Sequence, residues 1–336
     1  MTATADVSVL VPVLDEERHI REAVASMQAQ RIDGEVELIF IDGRSRDRTR
    51  AILEELAERD PRIRVLDNPA RRTPQGLNVG LAAARGRYVA RMDAHTHYPP
   101  GYLAAGVRRL EQGGVEHVSG PQIAVGDGTW SRRVALALST RLGVGGAGFR
   151  DLGSDEIEVD SGFTGVWRRE TLERQGGWDE GWPQNQDAEL AARIRADGGR
   201  LVCLPEMAAD YVPRDSLRSL ARQYWRYGIY RAKTSRRHPN ALRRSHVLAP
   251  GLTATVAAAL LPGPVGRLAR IGVAGYVAAL ILESVRAARR DRPADAATLP
   301  VVFATMHLAW GLGFLWGVAR YGPPLAGLKR LGGLGG

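Results

Sequence analysis

The first hundred residues alternate between unbroken apolar runs and longer stretches whose apolar positions recur every three or four residues. The runs at 7–14 (VSVLVPVL), 35–42 (EVELIFID), 62–68 (RIRVLDN) and 87–93 (RYVARMD) read as strands. Between them, residues 16–30, 45–60 and 74–86 carry helical periodicity. A strand without polar alternation is buried on both faces, so this succession predicts parallel pairing and a doubly wound α/β sheet flanked by helices. Ligands of such sheets bind beyond the carboxyl ends of the strands. Residues 12–16, 42–44 and 93–97, far apart in the chain, are therefore expected along one edge of a single crevice.

Residues 100–240 are less regular. A helix is expected after Pro100, strands near VEHVSG (115–120) and GRLVCLP (199–205), helices at 186–198 and 216–235, and an irregular Gly-rich stretch at 143–148. The pattern then changes to three apolar segments. Residues 247–266 are uncharged, 271–282 are apolar but short, and 299–319 are uncharged and long enough to span a bilayer. Arg243 and Arg244 precede the first segment and a cluster at 286–292 follows the second. If all three cross, both clusters fall on the side of the N-terminal domain, which the positive-inside rule places in the cytoplasm. A soluble helical subdomain, or helices lying in the interface, is the other expectation. The domains are read as 1–240, with halves 1–100 and 101–240, followed by a membrane-associated helical region at 241–336.

Composition changes this picture in three places. With 336 residues, 44% hydrophobic and 25% charged, the chain has ample material for a core. The net charge of +9 is carried mostly by arginine, concentrated near 218–244 and 286–292 beside apolar segments rather than in an aromatic-interleaved stripe. That placement points to a membrane surface and away from nucleic acid. The single Cys203 excludes an internal disulfide framework and points to a reducing compartment, and MTATADVSVL lacks the basic and long apolar regions of a signal peptide.

Candidate chemistry clusters at the predicted strand ends. VLDEE supplies Asp15, Glu16 and Glu17 at a strand-to-helix junction, where acids also suit a helix N-terminus. IFIDGRSRDRT delivers Asp42 to a strand end, with Gly43 in the turn and Asp47 and Thr49 beyond; Asp42 suits a base N–H or ribose hydroxyl, or a capping turn. Gly76 and Asn78 open a helix that lies against a nucleotide or only obeys helix-start chemistry. In RMDAHTHYPP, Asp93 and His95 with a diphosphate make a site for Mn²⁺, which accepts carboxylate and imidazole together, in preference to Mg²⁺; a turn set by Pro99 and Pro100 is the alternative, and His97 reads as a surface residue. Asp187 sits at a helix start near Gln186, Glu189, Trp167, Trp178 and Trp182: a general base with aromatic faces for a sugar, or a helix acid beside core aromatics. RQYWRYG puts Gln223, Arg226 and Tyr227 on one helical turn, where Arg226 suits a diphosphate or a solvated face. GVGGAG at 143–148 matches G-x-G-x-x-G but follows a helical pattern and opens no helix, so it is not a dinucleotide fingerprint.

In this order the motifs resemble those of the family 2 glycosyltransferases with the GT-A fold, and most of all the succinoglycan-biosynthesis type of glucosyltransferase. VPVLDEE is similar to P-x-x-N-E with Asp15 in place of Asn, IDGRSRDRT to D-G-S-x-D-x-T, and RMDAHTHYP to the D-A-H variant of D-x-D. NQDAEL is similar to N-E-D-x-E-L with Gln186 in place of Glu, and QYWRY to Q-x-x-R-W with Tyr227 in place of Trp. The resemblance covers roughly residues 6–240 and, more weakly, the apolar tail. It implies a Rossmann-like, mostly parallel sheet and an inverting transfer from a UDP-sugar such as UDP-glucose to a lipid-linked or polysaccharide acceptor, at the cytoplasmic face of the plasma membrane. It places Pro12, Asp15, Glu16, Asp42, Gly43, Asn78, Arg91, Asp93, Gln223 and Arg226 on the donor side, with Asp93 and His95 as metal ligands. Asp187 is the implied base, and Gly162, Thr164, Trp178, Gln186 and Tyr227 the acceptor side. A non-catalytic nucleotide-sugar-binding or regulatory membrane protein is the competing reading. A nucleotidyltransferase is disfavoured because PVLDEERH is not its Gly-rich, basic loop.

Overall fold

The computed structural model describes residues 6–144, 155–289 and 293–333. The elements β1 (Val7–Val13), α1 (Ile20–Gln28), β2 (Val36–Asp42), α2 (Thr49–Arg59), β3 (Ile63–Asp67), α3 (Thr73–Ala83) and β4 (Tyr88–Arg91) follow the apolar pattern. The less regular middle contains β5 (Thr96–His97), α4 (Tyr102–Glu111), β6 (His117–Ser119), β7 (Gln122–Ala124), α5 (Thr129–Leu138) and α6 (Arg141–Val144). It continues with β8 (Ile157–Glu158), β9 (Gly165–Arg168), α7 (Arg169–Arg174), α8 (Gln186–Ala196), β10 (Leu201–Cys203), β11 (Ala209–Tyr211) and α9 (Leu217–Arg237). Last come α10 (Ser245–Ala258), α11 (Gly263–Ala288), α12 (Pro293–Ala296), α13 (Leu299–Tyr321) and α14 (Leu325–Leu331). Of the run GVGGAG, Gly143 belongs to α6 and residues 145–148 lie outside the described residues, as do 290–292 of the basic cluster.

Among the described residues, eight strands form a sheet in the order β3-β2-β1-β4-β9-β6-β10-β8. The wing β3-β2-β1-β4 is parallel throughout. β9 is inserted antiparallel between β4 and β6, and β10 returns parallel to β6. The alternation of side chains decides what each face covers. Val7, Val9, Val11, Leu38 and Phe40 enter one core, while Leu10, Ile39 and Ile41 enter the other with Trp167 and Trp178. Both faces are dry, which is why these strands lack polar alternation. Register then fixes the crevice. Val13, Asp42 and Asp67 are level across β1, β2 and β3, whereas β4 stops pairing at Arg91, opposite Leu10. β1 thus runs past the end of β4, and the chain after Arg91 turns across that step. It is held there by β5, which pairs antiparallel with β11.

The chain divides into two compact units, Met1–Ile123 with Gly148–Tyr211, and Ala124–Ala147 with Val212–Gly336. The second unit is helical. α13 runs beside α9 in close contact, and glycines make that approach possible: a Cβ on Gly228 would lie 2.1 Å from Trp310 O, and one on Gly313 2.1 Å from Trp225 O. Two helices, Gly263–Ala288 and Pro293–Tyr321, are long and apolar enough to cross a membrane. The apolar segments expected from sequence are redrawn here. Residues 247–266 are not one segment, because α10 ends at Ala258 and α11 starts at Gly263 with φ of +82°. The short stretch 271–282 is the interior of the 26-residue α11.

Candidate active site

The first unit contains a cleft of about 170 Å³ at the carboxyl ends of the parallel strands. Pro12, Val13, Leu14 and Glu16 line it from the end of β1, Gly43 from β2, Asn68 from β3, Arg71, Arg72 and Thr73 from the start of α3, and Arg91, Asp93, Ala94 and His95 from β4. The three separate segments expected at one crevice edge do meet there.

The loops after β1 and β2 hold each other. The Asp15 N–H donates to Ser45 Oγ and the Glu16 N–H to Thr49 Oγ1 (3.0 and 2.8 Å). The Glu17 N–H donates to Asp47, and the N–H groups of Arg46 and Arg48 donate back to the Asp15 and Glu17 carboxylates. A turn in which the His19 and Ile20 N–H groups donate to Glu16 O follows, and α1 starts at Ile20, four residues later than its periodicity suggests. Asp15 and Arg44 adopt φ of +56° and +57°, the left-handed turns that let the loops interlock. Burial raises the Asp47 carboxyl, but hydrogen bonds from the Thr49 hydroxyl and N–H and the Glu17 N–H outweigh it, and its pKa falls below the ordinary value. The buried Asp42 accepts from the Ser45 hydroxyl at 2.6 Å and lies 3.8 Å from Arg50, so it closes its own turn at the cleft margin.

Arg91 is the pivot of the polar cluster. Its side chain is only 8% exposed, and it donates from Nε and Nη2 to Asp93 (3.1 and 3.4 Å). Burial opposes its charge, but the carboxylates of Asp93 and Asp187 outweigh that and hold its pKa above the usual arginine value. Its buried Nη1 has no hydrogen-bond partner among the described residues. Asp187, in the first turn of α8, therefore stands within electrostatic reach of the β4 terminus. The helix that carries it is anchored by the fully buried Glu189, paired at 2.9 Å with Arg193, whose guanidinium also donates to the carbonyls of Gln175 and Gly177. The Asp93 N–H donates to Tyr98 Oη, whose own ionisation burial pushes well up. His95 Nδ1 faces Glu16 Oε1 at 3.2 Å. His97 pairs instead with Glu22 at 3.6 Å, on the surface as expected. Among the described residues no group of three or more His, Cys, Asp or Glu side chains forms a metal cluster; Asp93, His95 and Glu16 line the cleft together.

Several sequence-derived placements change. Asn78 serves the scaffold: its amide donates to Trp178 O (2.8 Å) and to Glu180, and accepts from Trp178 N–H (2.9 Å), so both of its donors are committed within the protein. Trp178 is 2% exposed and packs edge-on against Trp167, and Trp182 is equally buried; these aromatics build the core and offer no stacking face to a sugar. Thr164 is buried and accepts from Tyr102 Oη and Gln122 Nε2. Gly162 is required by packing, since a Cβ there would lie 2.6 Å from Ser119 Oγ, and Gln186 is likewise buried. Gln223, Arg226 and Tyr227 belong to α9 in the second unit, where Gln223 Nε2 donates to Tyr227 Oη at 2.9 Å. Sequence reading missed Asn68, Arg71, Arg72 and Thr73. The available signal was the pair of arginines in NPARRTPQG, directly before a helix N-terminus.

Residues 8–176 match the family model for glycosyl transferase family 2. The succinoglycan biosynthesis protein ExoA of Rhizobium meliloti is 31% identical over 94% of this chain and 95% of that protein. The chain belongs to glycosyl transferase family 2. This family 2 enzyme is a glycosyltransferase with the GT-A fold. Its sheet is similar to that of the mannosyltransferase PcManGT from Pyrobaculum calidifontis in complex with GDP-Man and Mn²⁺, with a TM-score of 0.60 at 22% identity over 94% of this chain and 88% of that one. It is also similar to S. aureus TarS 1–349 in complex with UDP-GlcNAc, with a TM-score of 0.52 at 14% identity over 95% and 92% of the two chains. A dolichyl-phosphate-linked sugar transferase of Methanococcus voltae is 20% identical over 94% of this chain and 97% of that protein.

Proposed function

We propose that this family 2 glycosyltransferase moves a sugar, with inversion, from a UDP-sugar to a lipid-linked or saccharide acceptor at a membrane surface, and that UDP-glucose is the donor to test first. The observation that carries the proposal is the cleft itself. It joins Asp93 and His95 to three arginines at the strand ends, with Asp187 within electrostatic reach of Arg91. Further support comes from relatives named for succinoglycan and for a dolichyl phosphate sugar, and from neighbours that hold GDP-Man with Mn²⁺ or UDP-GlcNAc.

In this mechanism Pro12, Asp15, Glu16, Asp42 and Gly43 border the nucleoside. Asn68 joins them, because its buried Oδ1 is an acceptor with no partner among the described residues, suited to a base N–H. The diphosphate lies beside Arg71, Arg72 and Arg91. Asp93 and His95 would hold a divalent cation beside the diphosphate, and carboxylate with imidazole suits Mn²⁺ better than Mg²⁺. When bound, that cation neutralises charge on the departing diphosphate. Asp187 takes the proton of the acceptor hydroxyl as its oxygen attacks the anomeric carbon from the face opposite UDP. The bond from that carbon to the diphosphate oxygen breaks, and its electron pair leaves with UDP. Arg91, buried and paired with Asp93, lies within electrostatic reach of Asp187 and links the strand end to the start of α8.

Asp187→Asn tests the assignment. Donor affinity by calorimetry should stay within about threefold, while transfer falls on the order of 10²–10⁴-fold. Transfer that survives the substitution would remove Asp187 as the base. Loss of donor binding together with transfer would make it structural. Chelation should abolish transfer, Mn²⁺ should restore it better than Mg²⁺, and His95→Ala should raise the Mn²⁺ concentration required.

A further inference from the structure

The second unit exposes an unusual amount of apolar surface. Leu260 is 86% exposed, Leu268 72%, Leu248 71% and Ile271 69%. Length and composition alone let α11 and α13 cross a bilayer. Their surroundings oppose it. α10 has 14 residues, about 21 Å of helix, against a hydrocarbon core of about 30 Å. In α11 the uncharged stretch 271–282 is about 18 Å long. Arg267 and Arg270 stand before it and Arg286 and Arg289 after it, all four exposed. A crossing helix has one translocated end, and basic residues resist translocation. α11 is basic at both ends. Arg270 also donates to Ala259 O and Leu261 O (2.9 and 3.3 Å), so the α10–α11 corner itself holds a cation.

α13 is bound along its length by charged helices. Its second half, from Trp310 to Gly322, lies parallel to α9, with Gly313 against Trp225, Gly317 against Ile229 and Ala232, and Gly322 against Arg236. This part of α9 carries Arg226, Arg231, Lys233 and Arg236, and Lys233 lies over the Tyr321 ring at 5.4 Å. Its first half is held by the segment of α5 and α6: His307 Nε2 lies 3.1 Å from Leu142 O, and Arg133 pairs with Asp295 at 3.2 Å just before α13. Carrying α13 through a bilayer would take α9 and its cations into hydrocarbon, where such side chains are rare and costly.

Resting on the membrane reading above, we propose that the second unit is monotopic: it embeds in one leaflet of an anionic phospholipid bilayer, and neither α11 nor α13 crosses. The exposed apolar face of α10 and α11 enters the acyl region. The arginines at both ends of α11, with Arg243 and Arg244 ahead of α10, reach the anionic headgroups of the same leaflet.

The test is cysteine labelling of the full chain in sealed cells and in sealed inside-out vesicles with a membrane-impermeant maleimide. The wild-type chain is the blank, since its Cys203 is buried at 1% exposure. Single cysteines are placed at the exposed Glu58 in the first unit, at Leu260 in the α10–α11 corner, at the exposed Ala294 between α11 and α13, and at the exposed Lys329 beyond α13. Glu58→Cys, Ala294→Cys and Lys329→Cys should label from the same face within about twofold of one another, and Leu260→Cys should label from neither. Labelling of Ala294→Cys from the face opposite Glu58→Cys would mean that α11 and α13 cross as a pair, labelling of Lys329→Cys from that face would mean that α13 crosses, and labelling of Leu260→Cys from that face would mean that the α10–α11 hairpin crosses; any of these overturns the monotopic proposal alone. Recovery of wild-type chain in the dense bottom fraction, away from the vesicles, after flotation with phosphatidylglycerol vesicles would overturn the membrane reading itself.

Discussion

At the scale of single residues, polar groups at strand ends divide into those that face the cleft and those that hold it. Asn78 is of the second kind, and Asn78→Ala should destabilise the enzyme by about 2–3 kcal/mol, because it strands the N–H and carbonyl of Trp178. Thermal unfolding measures that loss, and the donor KM of the surviving enzyme should be unchanged, which a nucleotide-binding Asn78 would not allow. Asp60 gives a pH-dependent counterpart away from the site. Hydrogen bonds from Arg62 lower its pKa from 3.8 to about 2, against the opposing effect of burial. A depressed carboxylate stabilises above its unfolded value and loses that stabilisation as pH falls through the folded one. Asp60→Asn should therefore cost about 2 kcal/mol at pH 7 and roughly half of that at pH 3, measured by chemical unfolding.

At the scale of elements, the glycines of α9 and α13 act as contact surfaces. Gly313→Leu would push a side chain into the Trp225 backbone, and close-packed helices do not yield to that. It should cost about 3 kcal/mol or more and lower the unfolding temperature of the second unit. Gly275→Ala is the control. Nothing lies within 4 Å of a Cβ there, in the middle of α11, so the change should be neutral or stabilising by about 0.5–1 kcal/mol. The interlocked loops after β1 and β2 show the same principle in the active site. Ser45, Asp47 and Thr49 act on the first loop through its backbone N–H groups.

At the scale of the whole molecule, the charge of +9 and the apolar helices act together. Binding to vesicles should rise with the phosphatidylglycerol fraction. Arg243→Glu combined with Arg244→Glu should weaken it by roughly 2 kcal/mol or more, at about 1 kcal/mol for each basic residue lost at the surface. Raising the salt from 0.1 to 1 M should shrink that difference without releasing the wild-type chain, since Debye screening leaves the apolar contribution intact. Vesicle sedimentation across that salt range measures both effects.

The sequence by itself determined the parallel wing, the strand-end crevice and the family, because each rests on local pattern. Apolar runs of period one mark strands buried on both faces, and the motifs lie where those strands stop. It also determined Asp93, His95 and Asp187 as the candidate chemistry. What it left to the tertiary structure is whatever depends on a partner distant in the chain. The inward turn of Asn78 depends on the Trp178 backbone, a hundred positions away. The burial of Trp178 depends on a second core layer, that of Thr164 on Tyr102 and Gln122, and the cleft arginines at 71 and 72 on the register of β3. Whether α13 reads as a span or as a core helix is decided by α9 packed along it. Hydropathy is a property of one segment, whereas exposure belongs to the segment together with its neighbours.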